Sequence, residues 1–418
     1  MMKRYPLLMK SVPYNTNILH PLNPWIPLWW SAAFPGYGHA VMNNLLIGYI
    51  LVIFEFIINN LAKVNQAIYY SMIGDIQSAK DVIDLRFFYL YIGVYIFTMF
   101  DSYRRAVDLN NNYVLSYRKT KTTDTASMST FSVNTLNKVS PSVSLFWEML
   151  MPGLGSLYLN QVFNFFFSLV TWVITITFSR FYVGLFYSLT GDFAKAIEVV
   201  NPQWFLFIPS IYGGFLYHCY WEAVKSNKHY KLSQAKLLVS DYQNSFETPF
   251  HSERKGEDMY IVASYEHSAS VEIALTELEQ NGVKKSDILA LPLQVRNKKT
   301  RLFDNAHYSD GVSFVDLATI LGSIFMLLGG IYGFVLKLGP VLWALIGLVV
   351  GGVLGFLIKL IAVKKMPTID LFGRIKATEV FLMVKCSEGN DELIKDILLK
   401  NKALGVNNYN ESTPQINL

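Results

Sequence analysis

Charge is what this chain has least of. Asp, Glu, Lys and Arg make up 16% of its 418 residues, against 52% hydrophobic and 15% aromatic residues. A water-soluble globule of that length needs more polar surface than this. Cysteine is scarcer still: Cys219 stands in an apolar segment and Cys386 in a strand-like one. Two such thiols give neither a disulfide framework nor a thiolate metal site, and both read as packed side chains. The seven histidines are scattered without ligand spacing, and no nucleophile elbow, Walker loop, H-E-x-x-H or C-x-x-C occurs. The sequence therefore predicts no metal, no cofactor and no enzyme activity. A cleavable leader is also missing, because "MMKRYPLLMKSVPYNTN" has a basic start but no sustained apolar core before a small-residue cleavage site. The first apolar segment is expected to serve as the targeting signal. The net charge of +5 comes from Lys and Arg near the ends of apolar segments, where they orient a chain against a bilayer. Nucleic acid is not an expected partner.

Long apolar runs are what is present, and they repeat. Sliding the sequence by 117 positions sets 24–113 on 141–230 without a gap. "FPGYGHAVMN" then meets "MPGLGSLYLN", so Pro35, Gly36 and Gly38 fall on Pro152, Gly153 and Gly155. "YSMIGD" meets "YSLTGD", and Tyr103, Ala106, Val107 and Asn110 meet Tyr220, Ala223, Val224 and Asn227. Each unit opens with a short apolar segment, Trp25 to Phe34 or Val143 to Met151, too brief to cross a core of about 30 Å at ~1.5 Å per residue. P-G-x-G follows, then a full-length run (Asn44 to Leu61; Gln161 to Phe178), a less apolar stretch with "GD", and a second run (Phe87 to Met99; Trp204 to Tyr220).

The flanks give an orientation. Lys and Arg follow the last run of each unit in "DSYRRAV" and "EAVKSNKHYK", and acids gather around each "GD", so both units are expected to end inside and to cross twice. The P-G-x-G segment is left as a re-entrant or interfacial helix, where Pro removes an N–H and Gly permits close backbone approach. Equal parity makes the repeats parallel. Residues 1–23 form an N-terminal tail and 114–140, rich in Ser and Thr, a linker.

The last third changes character. After a linker at 231–257, strand, helix and strand are expected at Asp258 to Tyr265, Ser268 to Gly282 and Asp287 to Leu293, within a half-domain at 258–313. The order recurs at Thr378 to Cys386, Asn390 to Ala403 and Gly405 to Tyr409, within a second half at 364–410 followed by a tail at 411–418. Two such halves close into one ferredoxin-like α+β domain, interrupted by a transmembrane hairpin at 314–363. In that hairpin Gly347, Gly351 and Gly355 form G-x-x-x-G-x-x-x-G, a face that suits either packing within the hairpin or self-association into a homo-oligomer. Ahead of it Asp304, His307, Asp310 and Asp316 lack a recognised ligand pattern and read as a solvated, capped helix entrance. The fold class is thus a polytopic α-helical membrane protein carrying a cytosolic α+β domain.

Few residues are candidates for chemistry. Glu55, in "VIFEFII", is a carboxylate near the middle of an apolar run, where burial costs roughly 3 kcal/mol unless a partner or a proton meets it. Its repeat counterpart is Trp172. His39 and Glu148 flank the two P-G-x-G turns, and Asp101 and His218 share one repeat position. These five are the ligand- or ion-binding candidates.

The repeat resembles the small two-helix bacterial membrane domains marked by P-G-x-G before the first crossing and by an ending of the type D-A-Y-x-x-A-x-x-x-N, which "DSYRRAVDLN" fits with Ser102 for Ala. "HCYWEAVKSN" places His218 where that acid would stand. "YIVASYEHSASVEIALTELEQNGVKKSDILALPL" resembles the strand-helix-strand start of heat-induced general-stress proteins of Gram-positive bacteria, and the split by a membrane hairpin is similar in architecture to the D subunit of alternative complex three. These resemblances imply a multi-pass protein of the bacterial cytoplasmic membrane with both termini inside. Its expected role is a non-catalytic scaffold, sensor or regulatory subunit, stress- or envelope-related, that contacts lipid and a cytosolic protein partner. The other expectation is an ion or small-molecule transporter or channel built from two parallel repeats.

Overall fold

The computed structural model describes residues 9–12, 15–18, 20–115, 126–128, 133–243, 259–293, 314–362, 378–386 and 390–410. They fall into two compact units. The first is drawn from Met1–Thr135, Val139–Lys225 and Phe303–Lys365, the second chiefly from Ser226–Leu302 and Met366–Leu418.

The first unit is mostly helical. Strands β1 (Met9–Val12) and β2 (Asn15–Ile18) pair antiparallel ahead of α1 (Trp25–Ala33), α2 (Tyr37–Val41), α3 (Leu45–Ala62), α4 (Val64–Met72), α5 (Ile76–Val82) and α6 (Leu85–Leu115). After a second pair, β3 (Ala126–Met128) and β4 (Val133–Thr135), come α7 (Pro141–Leu150), α8 (Leu154–Tyr158), α9 (Val162–Ser179), α10 (Phe181–Thr190), α11 (Phe193–Val199), α12 (Pro202–Phe205) and α13 (Phe207–Leu238). The second series retraces the first at the spacing of 117 residues. Left-handed backbone occurs at Gly36 and Gly153, Asn43 and Asn160, Lys63 and Arg180, and Gly74 and Gly191, four pairs each that far apart. The "GD" stretches, expected only as less apolar, are helix pairs joined at these glycines. Asp75 and Asp192 cap the following helices by accepting from Ser78 N and Lys195 N.

Polarity on the long helices α9 and α3 is inverted relative to a soluble bundle. α9 buries Asn164, Ser168, Thr171, Thr175 and Ser179 on one face and exposes Phe163, Phe166, Val170, Val173 and Phe178 on the other. α3 likewise exposes Leu46, Ile50, Ile53, Ile57 and Leu61 while burying Glu55 and Asn59. Apolar stripes turned outward lose nothing only when the surroundings are apolar too.

Among the described residues four helices are long and apolar enough to cross a membrane: Leu45–Ala62, Val162–Ser179, Val315–Gly333 and Gly339–Ile361. A fifth span is reached if Ile76–Val82 and Leu85–Asn111, bent by 93°, count as one. Two crossings per unit were expected; the second run of the second unit lies in α13, which is buried on almost every side from Ile211 to Val224 and does not need an apolar exterior.

The P-G-x-G turns show why that tetrapeptide recurs. The first glycine of each is left-handed, with φ of +92° at Gly36 and +105° at Gly153, and its backbone abuts the next long helix. A Cβ on Gly36 would lie 2.5 Å from Gly48 O, and one on Gly153 3.0 Å from Phe165 O. The second glycine abuts the preceding short helix, so a Cβ on Gly38 would overlap Pro27 O and one on Gly155 would lie 2.5 Å from Ser144 O. Proline stops the short helix, and the two glycines let three helices meet at backbone distance.

The hairpin α15 (Phe314–Gly333) and α16 (Gly339–Ala362) also belongs to this unit. Cβ atoms on Gly347, Gly351 and Gly355 would overlap the carbonyls of Phe325, Leu321 and Leu317. This glycine face packs within the hairpin, one of the two uses expected for it.

The second unit is a four-stranded antiparallel sheet in the order β6-β7-β5-β8, from β5 (Met259–Tyr265), β6 (Ile288–Pro292), β7 (Val380–Cys386) and β8 (Gly405–Asn410). Register runs Met259↔Cys386 to Tyr265↔Val380 between the central strands. α14 (Ala269–Gln280) and α17 (Asp391–Lys400) cover one face. The core is Ile261, Ala263, Val380, Leu382 and Val384 from the sheet with Leu275, Leu278 and Leu398 from the helices. Residues 231–243, expected as linker, are instead the end of α13 and a π-helical turn at Val239–Gln243. Leu238 and Tyr242 enter the sheet's own core, because their spacing places both on one helical face. The tail expected over 1–23 likewise ends packed: Leu22 is buried, and its N–H and C=O both bond the Asn110 amide at 2.8 Å.

Candidate functional site

The five candidate residues are all buried in the first unit, and they fall into four separate polar clusters. At the second P-G-x-G turn, Glu148 lies near the end of α7, where the chain doubles back over it. Its Oε1 accepts from Gly153 N at 2.8 Å and its Oε2 from Gly155 N at 2.9 Å and Ser156 N at 3.3 Å. Both oxygens therefore hold the turn together. Beside it the Ser144 hydroxyl and Cys219 Sγ are 2.7 Å apart. Cys219 and Cys386 are both free and buried.

Asp101 is clamped from three sides. Its Oδ1 accepts from Arg104 Nη2 at 2.6 Å, and its Oδ2 from Arg105 Nε at 2.6 Å, with His39 Nε2 at 3.1 Å. Arg104 and Arg105 stand one helical turn further along α6, so they reach back to the carboxylate while staying partly exposed. His39 Nδ1 is buried without a partner among the described residues.

His218 occupies the repeat position of Asp101 but sits in a different network. Asn164 Nδ2 lies 3.2 Å from His218 Nε2 and 2.7 Å from Gln161 Oε1. Gln161 Nε2 donates to Glu222 Oε2 at 2.9 Å, and Lys225 donates to Glu222 Oε1. The ion pair of Lys225 and Glu222 is thus buried, neutral as a pair and bonded on its remaining side. Among the described residues no hydrogen bond or ion pair joins Asp101 to His218, so the shared repeat position does not make a shared site.

Glu55 is the remaining candidate. It is 2% exposed, and its Oε1 accepts from Asn59 Nδ2 at 2.7 Å and Tyr91 OH at 3.4 Å. Its Oε2 is buried without a partner, and no Lys, Arg or His pairs with it among the described residues. The neighbouring amides bridge the two repeats: Gln203 Nε2 donates to Asn59 Oδ1 at 2.8 Å, Asn65 Nδ2 to Gln203 O at 3.0 Å, and Gln66 N to Gln203 Oε1 at 2.8 Å.

No protein-family model, curated protein or solved structure matches the chain. Among the described residues no group of three or more His, Cys, Asp and Glu could hold a metal ion. Asp304, His307 and Asp310 lie outside the described residues, and Asp316 is a buried residue in the first turn of α15.

The partners of the candidates were less legible than the candidates. Asn59 follows Glu55 by one turn, and Arg104 and Arg105 follow Asp101 by one, spacings visible in sequence. The bonds of Gln203 to Asn59, of Asn164 to His218 and of Gln161 to Glu222 have no such signal, because they are made across helices.

Proposed function

We propose that the chain is a multi-pass protein of the bacterial cytoplasmic membrane, without catalytic activity, in which a helical membrane unit is coupled to a cytosolic ferredoxin-like unit. It acts as a sensor or regulatory subunit toward a cytosolic protein. The outward apolar faces of α3, α9 and α16 support the membrane. The strand order β6-β7-β5-β8, with both helices on one face, supports the ferredoxin-like arrangement. Arg104 and Arg105, partly exposed in the later part of α6, support an inner side there.

The observation that carries the reading is α13. It is one unbroken helix over Phe207–Leu238. Ile211, Phe215, Tyr217 and Trp221 lie in the core of the helical unit and Leu238 in the core of the sheet unit. Chain continuity through this helix gives a displacement of its first half a route to the second. The test uses the full chain in nanodiscs of two bilayer thicknesses, with hydrogen exchange read in β5 and β7. Strand protection should differ between the two bilayers, and a diglycine inserted after Ser226 should erase the difference. Protection that is equal in both bilayers for the native chain overturns the sensor reading.

A transporter is the second reading, favoured by the polar face of α9 and the free oxygen of Glu55. Glu55→Gln should then abolish proton- or ion-coupled flux in reconstituted vesicles. Flux that is absent in the native chain removes this alternative.

A further inference from the structure

The two P-G-x-G turns share a backbone but not a partner. In the second, the N–H groups of Gly153, Gly155 and Ser156 all point at the Glu148 carboxylate. One repeat earlier those three positions are Gly36, Gly38 and His39, and the position of Glu148 is Ser31. The first turn keeps the backbone bonds of its twin, Tyr37 N to Phe34 O at 3.0 Å and Ala40 N to Gly36 O at 3.2 Å. Among the described residues nothing accepts from the N–H groups of Gly36, Gly38 or His39.

Two side-chain observations say what belongs there. Ser31 is fully buried, and among the described residues its hydroxyl has no hydrogen-bond partner. That hydroxyl is directed at the second glycine of the turn. A Cβ on Gly38 would overlap Ser31 Oγ, just as a Cβ on Gly155 would come within 2.8 Å of Glu148 Oε2. Serine is shorter than glutamate by the whole carboxyl-bearing arm, so the acceptor that fills the second turn has no counterpart in the first. Buried donors left without an acceptor are costly, and converging backbone N–H groups with a hydroxyl are a favourable anion environment. Asp101, reached through His39, is itself paired with Arg104 and Arg105, so its charge is met within that cluster.

We propose that the first P-G-x-G turn binds a small anion, of the size of chloride or formate, through the N–H groups of Gly36, Gly38 and His39 and the Ser31 hydroxyl. The anion stands where the Glu148 carboxylate stands in the second turn. Ser31 and His39 are both 0% exposed, so a phospholipid headgroup or nucleotide does not fit, and entry requires local opening of the turn.

The probe is chloride. The melting midpoint of the full chain, in nanodiscs of phosphatidylcholine, is compared in potassium chloride and potassium gluconate at matched ionic strength. Chloride should raise it by on the order of 3 °C. Ser31→Glu brings a carboxylate to the turn, as in its twin, and should melt higher in gluconate and lose the chloride dependence. A native chain indifferent to chloride, or a chloride effect that survives in Ser31→Glu, overturns the proposal. Should Ser31→Glu not fold, crystals of the native chain grown in bromide decide the matter. An anomalous peak within hydrogen-bond distance of Gly38 N supports the site, and a water there without anomalous signal refutes it.

Discussion

Replacing Gly36 and Gly74 separately by alanine isolates what the P-G-x-G turn requires. The two glycines have nearly the same backbone, with φ of +92° and +88°. They differ in surroundings: a Cβ on Gly74 meets nothing within 4 Å, whereas one on Gly36 would meet Gly48 O at 2.5 Å, Leu51 Cβ at 2.8 Å and Val52 N at 2.9 Å. The left-handed conformation costs an L-residue about 1–2 kcal/mol at either site. At Gly36 the α3 backbone must also move away until the contact becomes ordinary, at 3.4 Å or more, and overpacking of this kind adds about 1–3 kcal/mol. The second repeat supplies a replicate with a graded clash, since Gly191 is open and Gly153 meets Phe165 O at 3.0 Å. The expected order of destabilisation is Gly36→Ala, then Gly153→Ala, then Gly74→Ala and Gly191→Ala together. Thermal midpoints in a neutral detergent, followed by tryptophan fluorescence, measure it; all eight tryptophans lie outside 226–302 and 366–418, so the signal comes from the helical unit. Four equal losses would show that the turn needs glycine for its torsion angle only, and the close-approach argument would be wrong.

Three further outcomes are expected. Glu148→Ala leaves three buried N–H groups without an acceptor and should cost about 2–4 kcal/mol, with Glu148→Gln recovering part of it; a silent Glu148→Ala would mean that water replaces the carboxylate fully. Gly351→Leu should destabilise the α15–α16 hairpin by about 2 kcal/mol or more without changing the size of the particle in light scattering, because that glycine faces Leu321 and Phe325; a smaller particle would assign the face to self-association instead. In the sheet unit, Glu277 accepts from Lys400 Nζ at 2.6 Å and Asn401 Nδ2 at 2.7 Å, and Lys400 first, then Asn401, holds its carboxyl below the ordinary value. A carboxyl lowered in the folded state contributes stability above the ordinary carboxylate range and loses it as pH falls through the lowered value. Hydrogen exchange in α14 and α17 should therefore speed up on acidification below that range, and Glu277→Gln should remove this part of the pH dependence.

What could be read from sequence followed the reach of the forces involved. The elements of the sheet unit were legible to within a few residues, because alternation in "YIVASY" and helical spacing in "VEIALTELEQ" are local signals. The repeat was legible in part because left-handed positions hold Gly or Asn at a fixed interval, Gly36, Asn43 and Gly74 against Gly153, Asn160 and Gly191. The end of α13 was not. "YKLSQAKLL" is polar enough to pass for a linker, and only the distant strands against which Leu238 packs make it part of a core. The candidate acids and histidines stood out by their rarity in apolar surroundings. Their fates did not, since whether a carboxylate is consumed by backbone N–H groups, as at Glu148, or left with an open oxygen, as at Glu55, is decided by chain reversals that no window of sequence contains.

The spacing of 117 residues has a consequence for how this molecule can vary. Two identical subunits meeting around a symmetry axis must accept every substitution twice, once in each copy. Two copies joined in one chain are released from that rule. Here the release is visible where one turn carries glutamate and the other serine, and where one repeat position carries aspartate in the first copy and histidine in the second. The backbone has stayed in register while the side chains have parted. Work done symmetrically by a homodimer can therefore be divided in this chain, with one half held closed by its own carboxylate and the other left open to something from outside.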